Sequence, residues 1–229
     1  MLELCLEPID SRSRYAAIAA KRCHRVKGHD GRCREFPYLL HLKQVAPRVA
    51  DKIRRDATMT TGASWSSEDA GPNRILRWVM LLSDEELRAK YGIHMESLKP
   101  QVIVKLRQKK ATYEDCMAVA RKMTWLVYQM EDAPIPPSDI EEYLRAFHGP
   151  MHPGTTMCTV CRLPLSFRLF GKAQRGHSPV ETCHSDPRLH TPDNVGFAHR
   201  ECNIAQGPKT LDEFYAWIEG ILQRVKGES

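Results

Sequence analysis

Residues 179–207 read PVETCHSDPRLHTPDNVGFAHRECNIAQG, and the fold turns on how this stretch is parsed. Val180 to His184 and Val195 to Ala198 read as two short strands, although alternation and β-branching are weak. A helix beginning near His199 or Arg200 runs towards Gln206, where Gly207 ends it. The order is strand, loop, strand, helix.

Metal ligands bracket this unit. Cys158 and Cys161 form a C-x2-C pair, and His199 and Cys202 form an H-x2-C pair. Two intervening residues let a tight turn aim both side chains at one ion. Two such pairs supply the four soft ligands of a closed tetrahedral zinc site. A structural zinc adds folding free energy where a small domain lacks a sufficient core. Unrelated free thiols are the alternative, and the matched spacing of both pairs in one loop-rich region argues against it.

CHSDP followed by DNVGFAHRECNIAQG resembles the ββα-metal motif of the HNH nuclease family, over roughly residues 155–207. The matching positions are His184 at the end of the first strand, Pro187 three residues on, Asn194, and the Cys202–Asn203–Gly207 stretch. The resemblance implies that neutral His184 takes a proton from water and directs the hydroxide at phosphorus. It implies one divalent ion, Mg²⁺ or Mn²⁺, on the scissile phosphate and leaving 3′ oxygen, with Asn203 as a helix-borne ligand. Asn194 orders the loop and helps orient His184. One departure stands out. The family carries an acidic metal ligand directly before this histidine, and here that position is Cys183, a poor ligand for a hard ion. Glu181, two residues earlier, and Asp186 are the substitutes within reach. His177 and His190 are backup bases, neither with the proline three residues downstream.

Composition sets the frame. The chain has 229 residues, 42% hydrophobic and 27% charged, with a net charge of +6, which fits an ordinary folded protein. The longest apolar stretch, Ile75 to Leu82, is interrupted by Arg77 and is too short to span a bilayer. The start MLELCLEPID has no basic segment or apolar core of a secretory leader, so a reducing cytoplasm is expected. There, eight cysteines are read as metal ligands rather than disulfides. Between Lys21 and Arg55 there are eleven Lys/Arg against three Asp/Glu, and between Lys99 and Lys122 seven against two. The last eighty residues are nearly balanced, nine against eight. Solvated helix faces are one reading. Two separate segments biased alike favour a phosphate-binding surface.

The first 130 residues read as mainly helical. Residues 112–130 place Cys116, Val119, Met123, Leu126, Val127 and Met130 on one face, with Thr112 as cap. Residues 74–82 and 97–108 read as helical, with Pro100 in a first turn. Ser83 with Glu86, Ser138 with Glu141, and Thr210 with Glu213 read as capping boxes. The last of these opens a helix striped by Phe214, Trp217, Ile218, Ile221 and Leu222, which suits packing against the chain or a second subunit. The breaks EDAPIPPSD (131–139) and HGPMHPGTT (148–156) divide the chain. The expected class is α+β: a helical, basic recognition region at 1–135, a connecting helix and linker at 136–154, and a small zinc-stabilised ββα-metal domain with a C-terminal helix at 155–229.

Near the start, KRCHRVKGHDGRC sets Cys23, His24, His29 and Cys33 within eleven residues, a candidate second zinc loop. Cys5 or His41 can replace either histidine. Arg25, Lys27, Arg32 and Arg34 then become candidate nucleic-acid contacts. The segment 57–74 reads equally as a DNA-contacting loop or a connection. The layout resembles Type II restriction endonucleases of the HNH class. That implies double-stranded DNA as substrate and a homodimer in which each subunit cuts one strand. A nicking enzyme, a modification-dependent nuclease or a nuclease toxin would use the same C-terminal residues. A zinc-stabilised DNA-binding module without catalysis and an RNA-cleaving nuclease stay open.

Overall fold

A computed structural model describes residues 2–9, 21–60, 75–92, 94–172 and 178–227. Side-chain caps set several of its helix starts. Ser83 accepts from the Glu86 backbone while Glu86 accepts from the Ser83 backbone, opening α3 (Asp84–Tyr91), which ends on left-handed Gly92. Thr112 accepts from the backbone of Asp115 and opens α5 (Tyr113–Tyr128). The Thr210–Glu213 box forms and opens α9 (Leu211–Lys226).

Elsewhere proline starts the helices. α2 (Pro47–Thr58), which follows α1 (Leu40–Val45), and α4 (Pro100–Gln108) each carry proline in the first turn, where the missing N–H has no helical partner to lose. α6 (Ser138–His148) differs from expectation. Ser138 is already helical, Pro137 holds the cap position, and no side-chain cap bond forms there. The expected helix over 74–82 is a 3₁₀ segment at Arg77–Leu81; residue 74 lies outside the described residues.

α5 is the central strut. Its first turns put Tyr113, Cys116 and Met117 into a cluster with Ile75, Trp78, Val79, Met80, Leu87, Met95 and Leu106. Its later turns put Val119, Ala120, Met123 and Val127 into a larger one. That cluster takes Leu42 of α1, Val49 and Ile53 of α2, Leu144 of α6, then Cys158, Val160 and Leu165, and finally Phe214 of α9. One buried apolar body thus runs through both sides of the proline-rich stretch at 131–139.

The strands form a two-stranded antiparallel sheet. β1 (Val180–His184) pairs with β2 (Val195–His199) in the register Val180 to His199, Cys183 to Gly196 and His184 to Val195. α8 (Arg200–Gln206) follows β2 directly and stops at Gly207, whose φ of 60° suits glycine. A short helix, α7 (Arg168–Gly171), precedes the sheet. The Cys158 turn lies on β2: Thr159 donates to the Phe197 carbonyl through both its backbone N–H and its hydroxyl. Gly196 permits that approach, since a Cβ there would overlap Thr159 Oγ1.

α9 is only partly covered. Leu211 and Phe214 are buried, whereas Trp217 is 48% and Leu222 51% exposed. Among the described residues no helix is long and apolar enough to cross a membrane.

Candidate active site

The last residue of β1 is His184, and its ring meets His190 from the loop that follows. His184 Nε2 lies 3.0 Å from His190 Nδ1, and His190 Nε2 lies 2.8 Å from the Ala57 carbonyl oxygen on α2. A carbonyl only accepts, so His190 Nε2 carries its proton and Nδ1 is the acceptor. His184 Nε2 must then donate, which leaves Nδ1 as the basic nitrogen of His184. Burial, followed by the Arg77 and Lys109 charges, pushes His184 from 6.5 down to about 4, so the ring is neutral.

These histidines border a cavity of about 280 Å³. Glu181 and Thr182 line it from β1, and Asn203, Gln206 and Gly207 from α8 and its end. Arg77 and Lys109 close the side formed by the helical region. Arg77 is 3% exposed, yet its hydrogen-bond partners among the described residues are carbonyls: Nη2 donates to Asp56 O and Nη1 to Lys109 O, each at 3.0 Å. Its Nε is buried with no hydrogen-bond partner among the described residues. Asp56 fastens the two halves together. Its carboxylate accepts from Thr182 Oγ1 at 2.9 Å, Lys52 at 2.9 Å and Arg55 at 2.7 Å. Burial opposes its ionisation, but Lys52 and Arg55 hold its carboxyl below the usual range.

The other sequence candidates fall in different places. Glu181 sits in the cavity wall with Oε1 2.6 Å from Arg200. Asp186 is drawn away to Arg188, 2.8 Å off, and is not among the cavity-lining residues. Cys183 points inward at 0% exposure and donates to Gln206 Oε1 at 3.1 Å. Burial first, then the nearby Cys158, raises its thiol to about 12, so it is a neutral donor there. Asn194 is buried and knots the loop: Oδ1 accepts from Asp186 N, and Nδ2 donates to the carbonyls of Asp186 and Leu189. His177 lies outside the described residues, as does most of 57–74.

Among the described residues, two sets of thiol and imidazole ligand atoms converge elsewhere. Those of Cys158, Cys161, His199 and Cys202 all lie within 4.8 Å of one another, and Cys161 Sγ is 3.5 Å from His199 Nδ1. The donor set is soft and tetrahedral in number, which suits zinc. The second set is Cys5, Cys23, His29 and Cys33, likewise within 4.8 Å. His24 is not in it. Adjacent residues of extended chain point to opposite sides. Cys23 therefore faces the cluster while His24 packs on Tyr113 with Nδ1 3.5 Å from Arg121. Cys5 takes the fourth place, and His41 instead meets the Tyr128 hydroxyl at 3.1 Å.

The sequence model of the DraIII family matches residues 35–202, which spans the helical region, the Cys158 turn, the hairpin and the start of α8. The chain belongs to the DraIII family. DraIII is a family of restriction endonucleases. The chain is also similar to a solved structure described as a type II restriction endonuclease. Identity is 46% and the TM-score 0.86, with 98% of this chain and 99% of that chain covered. No match is found among curated proteins. The DraIII relationship supports a sequence-specific DNA endonuclease and implies DNA binding.

Within this DraIII-family frame, the cavity cations are what sequence reasoning missed. Lys109 belongs to the basic stretch 99–122, but nothing local singles it out. Arg77 had a signal, a lone guanidinium inside the apolar run Ile75–Leu82. Arg25 Nη1 donates to the carbonyls of Asp30 and Arg32, bracing its own loop, and Lys27 pairs with Glu3 at 2.7 Å. Arg32 and Arg34 are exposed.

Proposed function

We propose that this DraIII-family chain is a Type II restriction endonuclease of the HNH type, hydrolysing phosphodiester bonds of double-stranded DNA at a short target. The observation that carries the proposal is the shared cavity of His184, Asn203, Glu181, Arg77 and Lys109 at the junction of hairpin, helix and basic helical region. His184 accepts a proton on Nδ1 from the attacking water, with His190 and Ala57 fixing the tautomer. Arg77 and Lys109 bring positive charge to the phosphate. Asn194 keeps the loop between His184 and His190 in shape.

The oxygen donors of Glu181 and Asn203 fit a hard divalent ion, Mg²⁺ or Mn²⁺, whereas the protonated Cys183 does not. When bound, such an ion neutralises charge at the phosphate and the leaving 3′ oxygen. A structural zinc on Cys158, Cys161, His199 and Cys202 would pin the 158–161 turn to the end of β2 and to α8. In this reading residues 155–229 are the nuclease domain, 136–154 the connection, and 1–135 the recognition region. The half-exposed face of α9 supports a homodimer, each subunit cutting one strand.

One observation favours a second reading, a DNA-binding module without catalysis: among the described residues the single carboxylate of the cavity wall is already paired with Arg200. Digestion of a plasmid library with Mg²⁺ or Mn²⁺, followed by sequencing of the product ends, decides between them. Ends that share one short sequence support the nuclease. Tight DNA binding with intact plasmid under either ion supports the module, and cleavage confined to structured RNA overturns both.

A further inference from the structure

The N-terminal cluster lies outside residues 35–202 matched by the DraIII family, and the proposed nuclease chemistry makes no use of it. It begins with two short extended segments. Residues 3–9 pair antiparallel with 21–27 through Cys5 N to Arg25 O, Leu6 N to Cys23 O, Cys23 N to Glu7 O and Lys27 N to Glu3 O, each 2.9 Å. The chain then turns at Gly28, φ 79°, and returns so that His24 N donates to Arg34 O at 2.8 Å. A ribbon this small is marginal in water on its own. Leu4 packs against the main core, while the ribbon and the loop after it gather three thiols and an imidazole in a separate cluster.

We infer that Cys5, Cys23, His29 and Cys33 hold a second structural zinc ion, which closes the N-terminal ribbon onto the basic loop 25–34. The distances match the ion. In tetrahedral coordination with Zn–S of about 2.3 Å and Zn–N of about 2.0–2.1 Å, sulfur and nitrogen stand about 3.5 Å apart. Here His29 Nε2 is 3.3 Å from Cys23 Sγ and 3.9 Å from Cys33 Sγ, and the four ligand atoms lie within 4.8 Å of one another. The backbone N–H of Arg34 donates to Cys23 Sγ at 3.3 Å, the kind of amide contact that steadies a ligating thiolate. A thiol hydrogen-bonded to one imidazole explains two of these groups. It leaves unexplained why Cys5, from a separate segment, completes the set. The cluster is also tied to the body of the fold, since Arg22 N donates to the Tyr113 hydroxyl on α5 at 3.0 Å, and that hydroxyl donates to Glu35 at 3.2 Å. The zinc therefore holds the exposed Arg32 and Arg34 at a fixed place relative to α5.

The test is a zinc count on the purified full chain by native mass spectrometry. The expected result is two zinc ions per wild-type chain, one in Cys33→Ser or Cys5→Ser, and two in His24→Ala. One ion in wild type, lost entirely in Cys161→Ser, would overturn the proposal. Retention of both ions in Cys5→Ser with loss of one in His24→Ala would overturn the ligand set. Should the cysteine variants be insoluble, hydrogen exchange of the wild type before and after chelation gives the same answer. Loss of protection across 3–9 and 21–34, in addition to that around 158–202, is expected; loss confined to 158–202 would count against the site. None of these readouts depends on DNA cleavage, so they stand or fall apart from the nuclease assignment.

Discussion

His184 Nε2 and His190 Nδ1 stand 3.0 Å apart, and the far nitrogen of His190 rests on the Ala57 carbonyl of α2. The proposed base thus takes its orientation from the helical region, not from the hairpin alone. His190→Leu removes the acceptor and should lower kcat about 10²-fold with little change in KM for DNA. His190→Asn, whose Oδ1 falls near the place of Nδ1, should recover part of that loss. Equal rates in the two variants would reduce His190 to a packing residue.

The acid behaviour follows from burial. His184 is pushed from 6.5 to about 4, by burial first and then by Arg77 and Lys109. His148 is lowered to about 4, and His190 is lowered further, again by burial first. The unfolded chain binds these protons first, so stability is complete above the ordinary value of 6.5 and is lost as pH falls towards 4. The thermal midpoint should drop across that window, while kcat/KM of the surviving folded enzyme keeps an acid limb below 6.5. A rate profile breaking at the ordinary imidazole value would place the base outside this cavity.

Lys109 and Arg77 are assigned to the phosphate. Lys109→Ala should weaken binding to all DNA sequences alike and reduce the salt slope by about 1. An unchanged slope would remove Lys109 from the interface. Arg77→Met is expected to cost stability as well, because the buried Asp56 O and the part-buried Lys109 O lose their donor.

Cys183 stands where the resembled family has an acid. It is fully buried and its partner is Gln206, so a carboxylate there would be desolvated rather than offered to a metal. Cys183→Asp should therefore lower the thermal midpoint without raising Mg²⁺-supported cleavage, as melting and plasmid assays would record. A gain of activity would mean that this strand position does face the ion.

Much of the hairpin was readable because its signals are local: the C-x2-C and H-x2-C spacings, Gly207 after the last helical turn, and the Thr210–Glu213 box. The Ser138–Glu141 box misled because Pro137 can itself occupy the cap position, moving Ser138 into the helix. The substitution of Cys5 for His24 depended on a pairing between segments twelve or more residues apart, Leu6 with Cys23 among them, which spacing alone does not encode. Arg77 and Lys109 reach the cavity, and Ala57 reaches His190, only through tertiary packing of the helical region on β1. No local pattern marks them as neighbours of His184.

The most direct measurement is plasmid cleavage by wild type and His184→Ala under Mg²⁺ and Mn²⁺, with DNA binding and zinc content recorded on the same samples. Wild type should cut at a recurrent short sequence. His184→Ala should lose at least ~10²-fold in rate while keeping its zinc and its affinity for DNA. A variant that binds, keeps its metal and still cuts at the wild-type rate would contradict the assignment of the base.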